Sequence, residues 1–257
     1  MAARRKCARL IQEGEVRVDG AIVIEPGTRV DPDRQRVSVG GRPLPRAQAQ
    51  AYYALHKPVG VLTTMSDPGG RPTVKSYLPE KGPRLFPVGR LDGDTSGLLL
   101  FTSDGELAHR LMHPRYEIPK TYHLSLSAPP SPRALAQLGL GVEYAPGETS
   151  RPARVEILRR ERERTLVALT IAEGRNRQVR RMCAALGLPL EALARVRVGP
   201  VELGGLAAGA LRPLAREEIA ALRNAVATAR APGEAKRRPV TPGGVRRTRR
   251  KPGPRRR

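Results

Sequence analysis

Residues 89–102 read Gly-Arg-Leu-Asp-Gly-Asp-Thr-Ser-Gly-Leu-Leu-Leu-Phe-Thr, and no other stretch constrains the fold so tightly. Four large apolar residues in succession, Leu98 to Phe101, predict a buried strand. Ahead of them the chain makes a small polar turn with Asp92 at its start. A carboxylate held where the chain turns before a core strand is rigid and can face a cleft, as a nucleophile or general base must. A hairpin in which Asp92 and Asp94 only cap the turn satisfies the same residues.

Around this strand the pattern favours more strands than helices. Tyr53, Leu55, Val59, Val61 and Leu62 predict a strand pair around Lys57-Pro58-x-Gly60, and residues 66–72 form a loop of breakers. Ser103, with Glu106 three residues later, predicts a capping box for a helix over 104–112. Tyr122, Leu124 and Leu126 alternate as a strand, residues 131–139 suit a short helix, and 153–158 and 165–172 read as strands. The expectation for residues 51–229 is an α+β domain on a large mixed or antiparallel sheet. Pro43 to Gln50 reads as a linker.

Residues 1–45 form a smaller α+β unit in this reading. A helix over 3–13 places Cys7, Leu10 and Ile11 on one face, and Gly14 ends it. Asp19-Gly20 between short valine and isoleucine runs signals a type I′ hairpin, and Val30, Val37 and Val39 point to further short strands.

A further helix falls on residues 176–186, with Asn176 as its N-cap. Val179, Met182, Cys183 and Leu186 recur at i, i+3, i+4 and i+7 and make a core face. Arg177, Arg180 and Arg181 lie on the other side; for Arg177 and Arg181 a solvated face and an anion-binding face are equally good readings.

The formal net charge of +23 implies a polyanionic partner. No amphipathic helix with a bulky apolar face supports a membrane-surface role, and no run approaches a membrane span. Cys7 and Cys183 lie far apart, which fits a reducing compartment, and the four histidines are scattered, so no zinc site is expected. Residues 230–257 carry twelve Lys or Arg against one acid, Glu234. Such a segment cannot offset its ordering entropy by burial, so a disordered basic tail that binds phosphates is expected.

The 89–102 stretch resembles the active-site motif of pseudouridine synthases, in particular the small-subunit synthase A and large-subunit synthase B branch. The likeness continues through Thr102–Leu107 to Lys120-Thr121-Tyr122, and includes His56-Lys57-Pro58 and Gly174–Met182. The N-terminal helix and hairpin resemble the alpha-L RNA-binding module, short of its usual opening helix. The expectation is therefore a partner helix encoded upstream of Met1.

The resemblance implies isomerisation of uridine in ribosomal RNA, most naturally 23S, with no cofactor and no metal. It implies Asp92 as the catalytic nucleophile, Arg180 as the guanidinium pairing with Asp92, and Tyr122 as the residue stacking on the base. Leu193 matches an apolar residue beneath the base. Arg90 beside Asp92 fills the space the base vacates or touches phosphate, and Lys57, Arg175 and Arg177 are candidate RNA-backbone contacts. A cytoplasmic monomer is expected. The alternatives are a synthase acting on 16S rRNA and a non-catalytic RNA-binding or ribosome-assembly factor on the same fold. A DNA-binding protein would need a helix-turn-helix or zinc signal that the chain lacks.

Overall fold

The computed structural model describes residues 4–31, 34–44 and 49–229. The expectations for the basic tail, for Met1 to Ala3 and for the middle of the linker lie outside them.

The chain opens with α1 (Arg4–Gln12), whose end is marked by Gly14 at φ +76°. Four short strands follow: β1 (Val16–Val18), β2 (Ala21–Ile22), β3 (Val37–Val39) and β4 (Arg42–Pro43). They form one sheet in the order β2-β1-β3-β4. Asp19 and Gly20 both have positive φ, as a type I′ hairpin requires. Two details differ from the expectation. Cys7 is exposed while Leu10 and Ile11 are half-covered, so the packed face is narrower, and Val30 is in no strand.

From residue 52 the chain builds a second, larger sheet. Its members are β5 (Tyr52–Lys57), β6 (Phe86–Pro87), β7 (Ser96–Thr102) and β8 (Lys120–Leu126), with α2 (Gly105–Met112) between the last two. After β8 come α3 (Pro132–Leu140) and a separate hairpin of β9 (Glu143–Ala145) and β10 (Glu148–Thr149). Then follow β11 (Arg154–Arg160), β12 (Thr165–Ile171), α4 (Gln178–Ala185), β13 (Leu190–Val198), β14 (Val201–Glu202), β15 (Leu211–Pro213) and α5 (Arg216–Thr228). Strand order is β11-β12-β8-β13-β7-β5-β15, with β14 on β13 and β6 on β7. The β13–β7 pair is parallel and its neighbours are antiparallel, so the sheet is mixed. The α+β expectation is met.

Alternation along the central strands divides the core into two layers. Leu55, Leu99 and Phe101 join Leu124 and Leu169 on one face, while Ala54, Leu98 and Leu100 pack with Leu107, Leu111 and Leu222 on the other. Leu98 to Phe101 are at most 2% exposed, because β7 is covered on both faces. Where β13 pairs with β7, the residue must be glycine. A Cβ on Gly97 would lie 2.2 Å from the Arg195 carbonyl oxygen, and its φ is +106°.

Three local expectations are corrected. Val61 and Leu62 do not pair with β5; Leu62 makes a single bridge to Thr73, and β5 lies between β7 and β15. Pro58 lacks an N–H and Gly60 turns at φ +85°, which ends the strand at Lys57. The N-cap of α2 is Asp104, whose Oδ1 accepts from Leu107 N at 3.0 Å; the Ser103 hydroxyl instead accepts from Ala51 N. The N-cap of α4 is Arg177, in the left-handed region at φ +49°, and not Asn176.

Candidate active site

The loop between β6 and β7 is pinned from below by backbone groups. Thr63 Oγ1 donates to Leu91 O at 2.6 Å and accepts from Leu91 N at 3.2 Å. Gly60 N donates to Gly93 O at 2.7 Å, and Thr95 N closes the turn onto Asp92 O at 3.1 Å. These bonds fix the Asp92 backbone on a loop fed directly into the most buried strand of the sheet. The Asp92 carboxylate borders a cavity of about 440 Å³, within the range of small-ligand sites.

Tyr122 and Leu193 come to the same cavity from β8 and β13. Leu193 pairs in register with Leu124, and Tyr122 with Arg195. Directly opposed residues share a face of an antiparallel pair, so the two strands present an aromatic and an aliphatic side chain together. Both are buried apart from the surface they give the cavity, at 8% and 5% exposure. Arg90, Arg175, Arg177 and Arg180 also line it, so the structure brings all the expected site residues together except Lys57.

Lys57 is a correction. Its side chain is fully buried, and Nζ donates to Pro58 O and Val61 O, each at 2.8 Å. It therefore offers no surface to an RNA phosphate. Burial lowers its pKa to about 8, while Asp94 and Asp92 pull in the opposite direction. Lys57 acts as a cation beneath the acidic loop and a tie for the turn that follows β5.

Arg180 departs from its expected partner. Nη2 donates to the Asp94 carbonyl at 2.5 Å and Nε lies 3.2 Å from Asp94 Oδ2, an ion-pair approach that is off the hydrogen-bond axis. Arg177 completes the clamp with a bidentate pair to Asp94, at 3.1 and 2.7 Å. The Arg177 hydrogen bonds, with the Arg180 charge behind them, hold the Asp94 carboxyl below its usual range. The guanidinium clamp thus fastens the residue two places after Asp92 and orients the loop through it. The left-handed Arg177 gives the reason: from that conformation its side chain reaches across to the loop.

Two braces were not foreseen from the sequence. Gln178, 3% exposed, donates through Nε2 to Glu173 and accepts from Arg175 N at 3.0 Å, which fixes the entry to α4. Arg181 stacks over the Tyr144 ring at 4.7 Å and pairs with Glu148. Nothing in the local sequence around Glu173 or Tyr144 signals these partners. Cys183 is a core residue, 1% exposed, with burial pushing its thiol up to about 12. Among the described residues no cluster of three potential metal ligands occurs, and no helix is long and apolar enough to cross a membrane.

Comparison with known proteins gives two family matches. RNA pseudouridylate synthase covers residues 51–185, and the S4 domain covers residues 1–35. An uncharacterized RNA pseudouridine synthase of Mycobacterium tuberculosis is 46% identical, over 88% of this chain and 90% of that protein. Ribosomal large subunit pseudouridine synthase B of Bacillus subtilis is 41% identical, over 87% and 91%. Ribosomal small subunit pseudouridine synthase A of Yersinia pestis is 38% identical, over 86% and 92%. A crystal structure of a pseudouridylate synthase superposes with a TM-score of 0.63 at 32% identity, over 86% of this chain and 94% of that one.

Proposed function

The chain belongs to the RNA pseudouridylate synthase family, and from that premise we propose that it converts uridine to pseudouridine in ribosomal RNA, with 23S rRNA as its target. The observation that carries this reading is the convergence of Asp92, Tyr122 and Leu193 on one cavity. The slightly higher identity to the synthase named for the large subunit supports 23S over 16S. The basic tail adds phosphate affinity to whichever RNA is held.

The reaction breaks the N1–C1′ bond, turns the uracil, and rejoins it through C5. C5 gives up its proton and N1 gains one, so the base keeps its atoms and electrons and needs none from a cofactor. Asp92 is the nucleophile, attacking the sugar or the ring as the glycosidic bond yields. Tyr122 and Leu193 hold the detached base between an aromatic and an aliphatic surface, keep water out, and place C5 for bond formation. The Tyr122 hydroxyl is the group set to take the C5 proton. Arg180 acts on Asp92 through Asp94, whose clamped carboxylate fixes the turn. The target base must first leave its stack, at a cost of a few kcal/mol, and Arg90 at the cavity edge is placed to fill the gap.

Mapping pseudouridines in rRNA from a strain lacking the gene, and from that strain complemented, tests the reading. Loss of one 23S site, restored by the wild type and not by Asp92→Asn, is expected. Loss from 16S rRNA would overturn the target, and no loss in either rRNA would overturn the activity.

A further inference from the structure

The lining of the cavity also includes two cations that the reaction described above does not use. Arg195 is 3% exposed and lines the cavity, yet its guanidinium makes one hydrogen bond, from Nε to Leu98 O at 2.8 Å. Its Nη2 is buried without a hydrogen-bond partner. Lys120, half-buried, lines the same cavity and donates from Nζ only to Ile118 O, at 2.8 Å. Among the described residues neither side chain forms an ion pair. The acids that border the cavity are Asp92 and Glu173, and Glu173 already accepts from Gln178 and from Arg151 N.

Burying an unpaired guanidinium donor is costly, and burying a second cation beside it adds repulsion. The repulsion registers at Lys120, where burial and then the Arg195 charge lower the pKa to about 8. An anion between the two would relieve both costs. RNA supplies one anion, its phosphate, with oxygens that suit a guanidinium fork.

The strands fix where that phosphate would sit. Arg195 is the register partner of Tyr122 across β13 and β8, and Lys120 lies two residues before Tyr122 on the same strand face. Two residues of strand span about 7 Å, the scale of the separation between a base and its own phosphate. We propose that Lys120 and Arg195 form the phosphate end of the cavity and hold the phosphate of the nucleotide whose base lies against Tyr122. The inference rests on the uridine-isomerising reading of this cavity, and it assigns these residues to binding rather than to bond breaking.

The test is the rate at which an amine-reactive acylating reagent modifies Lys120 in the full chain, read by peptide mass mapping. Inorganic phosphate and uridine monophosphates, 5′ or 3′, should slow the reaction at least tenfold at saturation, the nucleotides at lower concentration; uridine should not. In Arg195→Lys the protecting concentration should rise about tenfold, the loss expected for one hydrogen bond to a charged group. Unchanged rates with phosphate, or equal protection by uridine, would overturn the proposal. Should Arg195→Lys fail to fold, the wild-type comparison of uridine with its monophosphates still decides. Because protection needs no turnover, its failure is distinguishable from failure of the activity, which pseudouridine formation in rRNA reads.

Discussion

Two groups of cations around one cavity are built on opposite electrostatic plans. Around the Asp92 loop, Arg177 and Arg180 meet the Asp94 carboxylate, while Lys57, bonded to backbone carbonyls, lies in the field of both acids. Arg195 and Lys120 have only backbone carbonyls and no carboxylate beside them. Paired charges hold a loop in one geometry, whereas unpaired buried charges retain binding capacity for a ligand. On the proposed reading the site fixes a nucleophile and also grips a polyanion, which needs both, and the pairing of β7 with β13 at Gly97 joins them.

The sharpest way to break the comparison is at Asp92. Asp92→Asn should lower single-turnover pseudouridine formation by at least about a thousandfold, with RNA affinity measured by anisotropy little changed. Substantial turnover by that variant would remove Asp92 as the nucleophile and leave the loop's rigidity without a purpose.

Gly97→Ala should strike both groups at once. Its Cβ would drive into the Arg195 backbone at 2.2 Å, and the strain should cost about 4 kcal/mol, in the range where substitutions become diagnostic. Chemical denaturation reads this directly. A variant as stable as wild type would mean that β7 and β13 are not held in register at this point.

Within the paired group, Arg180→Ala should reduce the single-turnover rate about tenfold more than Arg177→Ala. The Arg180 side chain is 17% exposed against 45% for Arg177, and it alone also holds the Asp94 carbonyl. Equal losses would make α4 a uniformly basic surface.

The tail should affect binding and leave chemistry alone. Deleting residues beyond Arg230 should flatten the slope of log affinity against log salt by roughly one unit per lost phosphate contact, with the saturating rate unchanged. An unchanged slope would show that the tail does not engage RNA.

The smallest effect concerns acid. Because the folded-state pKa of Asp94 is depressed, its pairing stabilises the fold above the unfolded value of about 3.9. That stability is lost as pH falls through the lower, folded value. The carboxylate is 44% exposed, so solvent screening limits the contribution to less than about 1 kcal/mol. Asp94→Asn should accordingly narrow the stability gap to wild type as pH drops from 6 toward 3. A constant gap would show that the clamp is not ionic.

Much of this was legible along the chain because its determinants are local. A run of four large apolar residues calls for burial, so Leu98 to Phe101 marked a strand covered on both faces. The i, i+3, i+4 spacing of Val179, Met182 and Cys183 set the core face of α4, and Asp19-Gly20 set a hairpin. Asp92, Tyr122 and Leu193 were named in advance through the resemblance of their motifs to those of pseudouridine synthases, and the structure places all three on one cavity.

Which charge meets which was decided by the tertiary structure alone. Local spacing cannot say that Lys57 is buried, that Arg180 reaches Asp94 rather than Asp92, or that Ser103 turns away from its helix to Ala51. Each outcome depends on strands distant in sequence being laid side by side, and on a left-handed residue at the head of α4. Arg195 is the clearest case. As letters it is one of many arginines in a strongly basic chain; only the placing of β13 between β8 and β7 removes it from water and leaves it lining the cavity.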